Sequence, residues 1–230
     1  MMQKANKGKK LGITVDGKKY LRMPIKTHII KVGEDILAVA KKYAAQHFKI
    51  GDFLFISEKI IAISQGRSFP IKDIKPRKLA YFLVKFVHKT PYGIGIGSPW
   101  TMELAIRDIG YPRLFLGILI AALTKPFGIR GMFYRVCGAR AQAIDGPTAY
   151  TLPPYNKYAK MAPLKPDKVA RKISNKLGCP VVIIDANDLG VNVLGKSDKS
   201  ISEKFARAVF RDNPLGQTKE QTPLCIVRKV

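Results

Sequence analysis

At 230 residues and 47% apolar side chains, the chain can bury a substantial core, which excludes wholesale disorder. Its 41 Lys and Arg against 16 Asp and Glu give a formal charge of +25. Such a surface attracts nucleotides, nucleic acid, anionic lipid or carboxylate substrates, or else reflects a proteome-wide bias. Cys137, Cys179 and Cys225 are widely spaced, form no Cys-x-x-Cys, and have none of the three histidines beside them. That argues against a zinc site or a disulfide framework and points to the cytoplasm. The polar, Lys-rich start does not read as a secretory signal.

In chain order, residues 1–19 form a basic N-terminal segment and 20–230 the main domain. Asp16-Gly17 predicts a hairpin turn between Leu11–Val15 and Tyr20–Met23. Pro24–Val32 reads as extended. Glu34–His47 reads as a helix with Glu34 and Asp35 in its first turn. Phe53–Ser57 has a buried-strand pattern. Ile60–Ser64 reads as a second strand after the interruption Glu58-Lys59. Pro76–Lys89 predicts a helix. Gly93-Ile94-Gly95-Ile96-Gly97 lacks the spacing of a phosphate-binding glycine loop and reads as a close-packed strand. Ser98-Pro99 caps a helix running to Asp108.

Leu114–Leu123 is apolar all round and too short to span a bilayer, for which about 20 residues are needed. It reads as a buried helix or a dimer surface, and lacks the polar face of a membrane-surface helix. Phe133–Val136 and Ala139–Ile144 read as two strands around Gly138, the second ending in Asp145. A Pro/Tyr-rich connection over 148–166 allows two intimate lobes. Helices are expected over Asp167–Leu177 and Asp198–Phe210, a turn at Pro214–Gln217 and a last strand over Pro223–Val227. Interleaved strands and helices make the class α/β, or mixed α+β.

Val181-Val182-Ile183-Ile184 reads as a strand buried on both faces. Asp185 follows at once, with the turn residues Asn187, Asp188 and Gly190 behind it. A carboxylate there faces the crevice outside a sheet, where α/β proteins place ligands, or merely starts a turn. Asp145 is a second acid at a strand end. With Lys59 and Arg67 for phosphate charge and the turn Gly216-Gln217, the set matches what a Mg²⁺–nucleotide site needs. Lys59 and Arg67 read equally as solvated surface cations.

Several segments resemble, in order, the family that adds glutamate to the deazaflavin coenzyme F420. They are Lys31–Ile36, Gly51–Arg67, Ala143–Pro147, Leu152–Pro154, Val182–Asp185 and Gly216–Arg228. The resemblance implies a two-lobed γ-glutamyl ligase fold assembled as an intertwined homodimer. It implies GTP (or ATP) as co-substrate with Mg²⁺ or Mn²⁺, and a reaction that phosphorylates an acceptor carboxylate before the glutamate amine displaces phosphate. It assigns metal and catalytic roles to Asp145 and Asp185, phosphate contacts to Lys59 and Arg67, and a metal or phosphate contact to Gln217. Where the family carries Ser-Asn after its first aspartate, this chain has Gly146-Pro147-Thr148. Two arginines that follow the second aspartate in the family are absent. The alternatives are a relative of the same fold with lost or changed catalysis, and a basic module for nucleic acid or membrane surfaces.

Overall fold

The computed structural model describes residues 4–87, 94–129, 131–187 and 190–230. In chain order its elements are β1 (Gly12–Val15), β2 (Lys18–Ile25), α1 (Ile36–Ala44), β3 (Phe53–Ser57), α2 (Glu58–Ser64), β4 (Ser68–Pro70), α3 (Lys78–Val84), α4 (Pro99–Ile109), α5 (Tyr111–Thr124), α6 (Met132–Cys137), α7 (Ala139–Gln142), β5 (Tyr158–Lys160), α8 (Pro166–Leu177), β6 (Val181–Asn187), β7 (Gly190–Lys196), α9 (Glu203–Val209) and β8 (Leu224–Lys229). The class is mixed α/β, as expected. Two compact units result: residues 1–66 with 163–230, and residues 67–162.

The first unit is a six-stranded sheet of order β1-β2-β8-β3-β6-β7. Only β3 and β6 run parallel, in register from Leu54↔Val181 to Ser57↔Ile184. β8 lies antiparallel on the other side of β3. Phe55, Val182, Ile184, Cys225 and Val227 form a core with Phe210, whose ring stacks on Phe55 at 4.4 Å between centroids. Leu54, Ile56, Val181, Ile183, Leu224 and Ile226 alternate with these and are equally inaccessible; α8 lies on β6 and α1 on β8. Cover on both faces is why Val181–Ile184 shows no apolar–polar alternation.

The β1–β2 turn falls at Asp16-Gly17, both at positive φ, as a two-residue hairpin turn requires. This hairpin runs through residue 19, so the division placed there falls inside β2. Asp35 caps α1 by accepting from the Leu37 amide, and Glu34 precedes the helix instead of entering its first turn.

Three further expectations are corrected. Ile60–Ser64 is part of helix α2 and not a strand: the Ser57 hydroxyl caps it through the Lys59 amide, and Glu58 sits in its first turn. A short run buried on all sides has no period to separate the two structures, and the cap decides. Residues 133–136 and 139–144 contribute helices α6 and α7 and not a hairpin. Ile94–Gly97 is a turn closed by Gly97 N–H to the Ile94 carbonyl at 2.7 Å, not a strand. Gly93, Lys89, Asp188 and Leu189 lie outside the described residues. Strand β7, absent from the sequence reading, pairs antiparallel with β6.

The second unit wraps helices around α4, which buries Met102, Leu104, Ala105 and Ile106. Its start carries the expected Ser98 cap, and the structure adds Thr101 as its reciprocal partner, the two satisfying each other's backbone amides. Buried Glu103 holds Arg77 at 3.2 Å and Arg107 at 2.8 Å, so its charge is paired. Helices α5 and α6 approach closely at Gly117, where a Cβ would stand 2.6 Å from the Cys137 sulfur. Of the run expected to be buried, Leu114–Leu123, only Leu114 and Gly117 are buried; most of its outer side is exposed. No helix among the described residues is long and apolar enough to cross a membrane.

Candidate functional site

The parallel pair β3/β6 sets the geometry of the first unit. Their shared register ends at Ser57↔Ile184. There β3 turns into α2, and Glu58 and Lys59 occupy its first turn. Strand β6 continues past that point, so Asp185 is its first residue without β3 beside it. Burial changes at the same residue: Val181–Ile184 are inaccessible, and Asp185–Asn187 are half-buried. The sequence placed Asp185 at a strand end before a turn. In the structure β6 runs on to Asn187, and Asp185 pairs with Asn192 of β7. The crevice beyond the carboxyl ends of parallel strands is where α/β proteins hold ligands.

Strand β8 starts at the same end, because Leu224 faces Ile56 and the Ser57 amide donates to the Pro223 carbonyl at 2.8 Å. The loop before β8 carries Gln217. Its amide oxygen accepts from Asn213 Nδ2 at 3.3 Å, and the same Nδ2 donates to the Gly216 carbonyl at 2.9 Å. In sheet order, β3 with Lys59 thus stands between Asp185 on β6 and the Gln217 loop leading into β8. The fold gathers these three positions at one end of the sheet.

The segment leaving β2 comes to that end as well, since Ile25 faces Leu224. Thr27 exchanges hydrogen bonds with Gln221, backbone amide to carbonyl at 3.1 Å and Gln221 Nε2 to carbonyl at 2.6 Å. Beside it, the ring nitrogens of His28 lie 2.9 Å from the Tyr43 hydroxyl and 2.7 Å from Glu34 Oε2. Neither this His–Glu–Tyr group nor buried Glu58 was singled out from the sequence. Glu34 and Glu58 both lie within segments that carry the family resemblance, and that was the available signal.

Arg67 and Asp145 belong to the second unit. Arg67 donates Nε to the Ala162 carbonyl and Nη2 to Asp108, an almost wholly buried acid, so its guanidinium is engaged within the fold. Asp145 is not the end of a strand from a hairpin. It follows α7 and makes an isolated bridge with Lys160, the two backbones exchanging bonds of 2.9 and 3.2 Å. Lys160 also faces Ser68, so β5 lies between the segments that carry Arg67 and Asp145. Asp145 Oδ1 accepts from the Gly146 amide at 2.8 Å. A Cβ at Gly146 would stand 2.9 Å from Ile94, so no larger side chain fits there as the chain is folded.

Asp185 and Gln217 in the first unit, and Asp145 in the second, carry hard oxygen atoms of the kind Mg²⁺ or Mn²⁺ takes. Among the described residues no three His, Cys, Asp or Glu side chains converge. Magnesium sites are compatible with that sparseness, because one or two carboxylates suffice when phosphate and water complete the shell. The cysteines offer no thiolate: burial pushes Cys179 up to about 11, with Asp52 adding to it, and burial pushes Cys225 up to about 12.

Among comparisons with known proteins, the family model of F420-0:gamma-glutamyl ligase matches residues 24–188, well over half of the chain. It takes in β2 through β6, with Lys59, Arg67, Asp145 and Asp185; Gln217 lies beyond it. No curated protein matches the chain.

Proposed function

We propose that this chain, which belongs to the F420-0:gamma-glutamyl ligase family, joins an amino acid to an anionic carboxylate acceptor, such as a deazaflavin coenzyme precursor, through a γ-glutamyl-type amide. GTP or ATP serves as co-substrate. The observation that carries the reading is the register of β3 and β6, which brings Lys59 and Asp185 to adjacent strand ends with the Gln217 loop alongside. Lys59 offsets phosphate charge as a point cation. Asp185, with Gln217, holds Mg²⁺ or Mn²⁺ in the first unit, and Asp145 offers a metal-binding carboxylate in the second. A bound divalent ion neutralises charge on the phosphates. The acceptor carboxylate takes the γ-phosphoryl group of the nucleotide, whose diphosphate leaves; the amine then attacks the acyl carbon, the C–O bond to phosphate breaks, and the amine's proton passes to solvent. Arg67 acts by ordering its own unit through Asp108.

The test is a melting curve with each nucleotide, with and without Mg²⁺ or Mn²⁺. A ligand bound only by the folded state stabilises it by about 2.7 kcal/mol at a hundredfold excess over its Kd. Asp185→Asn should remove the metal-dependent part and keep the fold, since the amide retains shape and loses charge. Asp145→Asn should do likewise. Lys59→Ala should weaken nucleotide more than metal, because an ammonium group has only donors to offer.

A second reading is a member of the family with lost chemistry. The engagement of Arg67 with Asp108, and the close packing of Gly146 on Ile94, favour it. If neither nucleotide moves the melting curve with any divalent ion, that second reading replaces the first.

A further inference from the structure

Helix α5 is apolar around most of its circumference, yet it is seated on the unit along one side only. Leu114 and Gly117 face inward, with Gly117 against Phe133 and Cys137 of α6. Phe115, Leu116, Leu119 and Leu123 recur at the spacing of one helical stripe and are 47, 50, 56 and 60% exposed. Phe127, just past the helix, extends the stripe and is also exposed. A contiguous apolar surface of this kind marks a contact that the chain does not itself supply.

The charge around the stripe has one sign. From Ile109 to Ile144 the sequence contains no Asp or Glu. Arg113 and Lys125 bracket the stripe, and Arg135 and Arg140 follow on α6 and α7; all four are exposed. Tyr111 ties the start of α5 to α3, since it accepts a hydrogen bond from Arg77 and its ring lies under that guanidinium at 5.6 Å. The end of α3 and the turn after it present the same combination, Phe82 and Phe86 in edge contact with Lys85 exposed between them.

We infer that the outer face of α5 docks on an anionic lipid surface, its stripe immersed at the level of the headgroups and its flanking cations set against lipid phosphates. Apolar residues on one side of a helix with cations at its margins are what interfacial binding uses. The sequence lacked a polar side opposite the stripe, but the fold covers that side with α4 and α6, so none is needed. A span is excluded by length: 14 residues reach about 21 Å, against a hydrocarbon core of about 30 Å. A second copy of the chain fits less well. A two-fold contact would set this face against itself, with cations on both sides and no acid from 109–144 to offset them.

The test is co-sedimentation of the full chain with vesicles of phosphatidylcholine alone and of phosphatidylcholine with roughly one third phosphatidylglycerol. Because a charge of +25 attracts anionic vesicles by itself, Leu119→Glu is compared with Ile50→Glu, an equal change of charge at a fully exposed site in the other unit. Leu116→Glu serves as a second stripe variant, and circular dichroism checks that each is folded. The expected result is binding to the anionic vesicles, partly retained at high salt. The stripe variants should weaken it by about tenfold or more, and Ile50→Glu by less than about twofold. Equal losses from both kinds of variant would overturn the inference in favour of diffuse charge attraction. So would an absence of vesicle binding. Light scattering that shows a dimer dissolved by Leu119→Glu would assign the face to a second copy instead.

Discussion

The two units spend their apolar residues differently. In the sheet unit the exposed large apolar residues among those described, such as Val32 and Ile50, sit in loops and at the chain end, while the central strands β3, β6 and β8 are covered on both faces. In the helical unit many of them lie on helices, Tyr81 and Phe82 on α3 and Phe115, Leu116, Leu119 and Leu123 on α5. A sheet sandwiched between helices uses up its apolar surface internally and keeps its polar residues at the strand ends. Helices wrapped in one layer around a single buried helix still carry apolar residues outward, and those must meet something else. Buried charge is handled alike in both. Asp52 takes both ends of Arg228 at 2.7 and 2.8 Å in the first, and Glu103 and Asp108 are held by arginines in the second.

The largest effect that would test this comparison comes from Arg22. It is buried, forms an ion pair with Asp212, and donates to the carbonyls of Lys10, Leu11 and Val209. Arg22→Ala removes the partner of half-exposed Asp212 and the side-chain donor to the Lys10 and Val209 carbonyls, and should cost about 2–3 kcal/mol in urea unfolding. Hydrogen exchange should then quicken in β2 and α9 and stay unchanged in α4. Equal loss in α4 would mean that the units unfold as one.

Gly195→Ala is expected to cost less, about 1–3 kcal/mol. Its Cβ would stand 2.6 Å from the Pro166 carbonyl carbon, where α8 backbone cannot step aside. The same unfolding experiment reads it, and a neutral result would show that α8 sits loosely on β7.

The sheet unit should also respond to acid through Asp212. Burial raises its carboxyl, but the Arg22 hydrogen bond and charge outweigh that and hold it below the ordinary 3.8. A lowered folded value means that the pair stabilises above the unfolded pKa and that this contribution is lost as pH falls through the folded one. Melting temperature should therefore fall below about pH 4. Asp212→Asn, less stable at neutral pH, should show a flatter acid limb, and an unchanged slope would remove Asp212 from the account.

The smallest effect sharpens the contrast. Leu116→Ser on the exposed stripe should change stability by no more than about 0.5 kcal/mol, because the side chain loses little water on folding. A loss of 2 kcal/mol or more, of the order expected for a buried leucine, would show that the stripe is covered in solution.

The sequence by itself determined whatever depends on neighbours along the chain. The Asp16-Gly17 hairpin, the Ser98 helix cap and the buried Val181–Ile184 strand are short-range patterns with one physical reading each. Segment order was enough to carry the family resemblance, and with it the expectation that Lys59 and Asp185 serve the site. Tertiary structure decided the rest. Ile60–Ser64 is an apolar run too short to show a period, and burial on several sides with a serine cap made it helical; Phe133–Val136 is a short half-buried stretch whose helix closes against α5. Arg67 read either as a grip for phosphate or a carboxylate or as a solvated cation, because Asp108 is far away in sequence, and only folding brings that buried acid to it. The fate of Leu114–Leu123 turned on supply. Apolarity says that a helix seeks cover, but how much cover the neighbouring helices provide is a property of the packed unit, and here they cover one side.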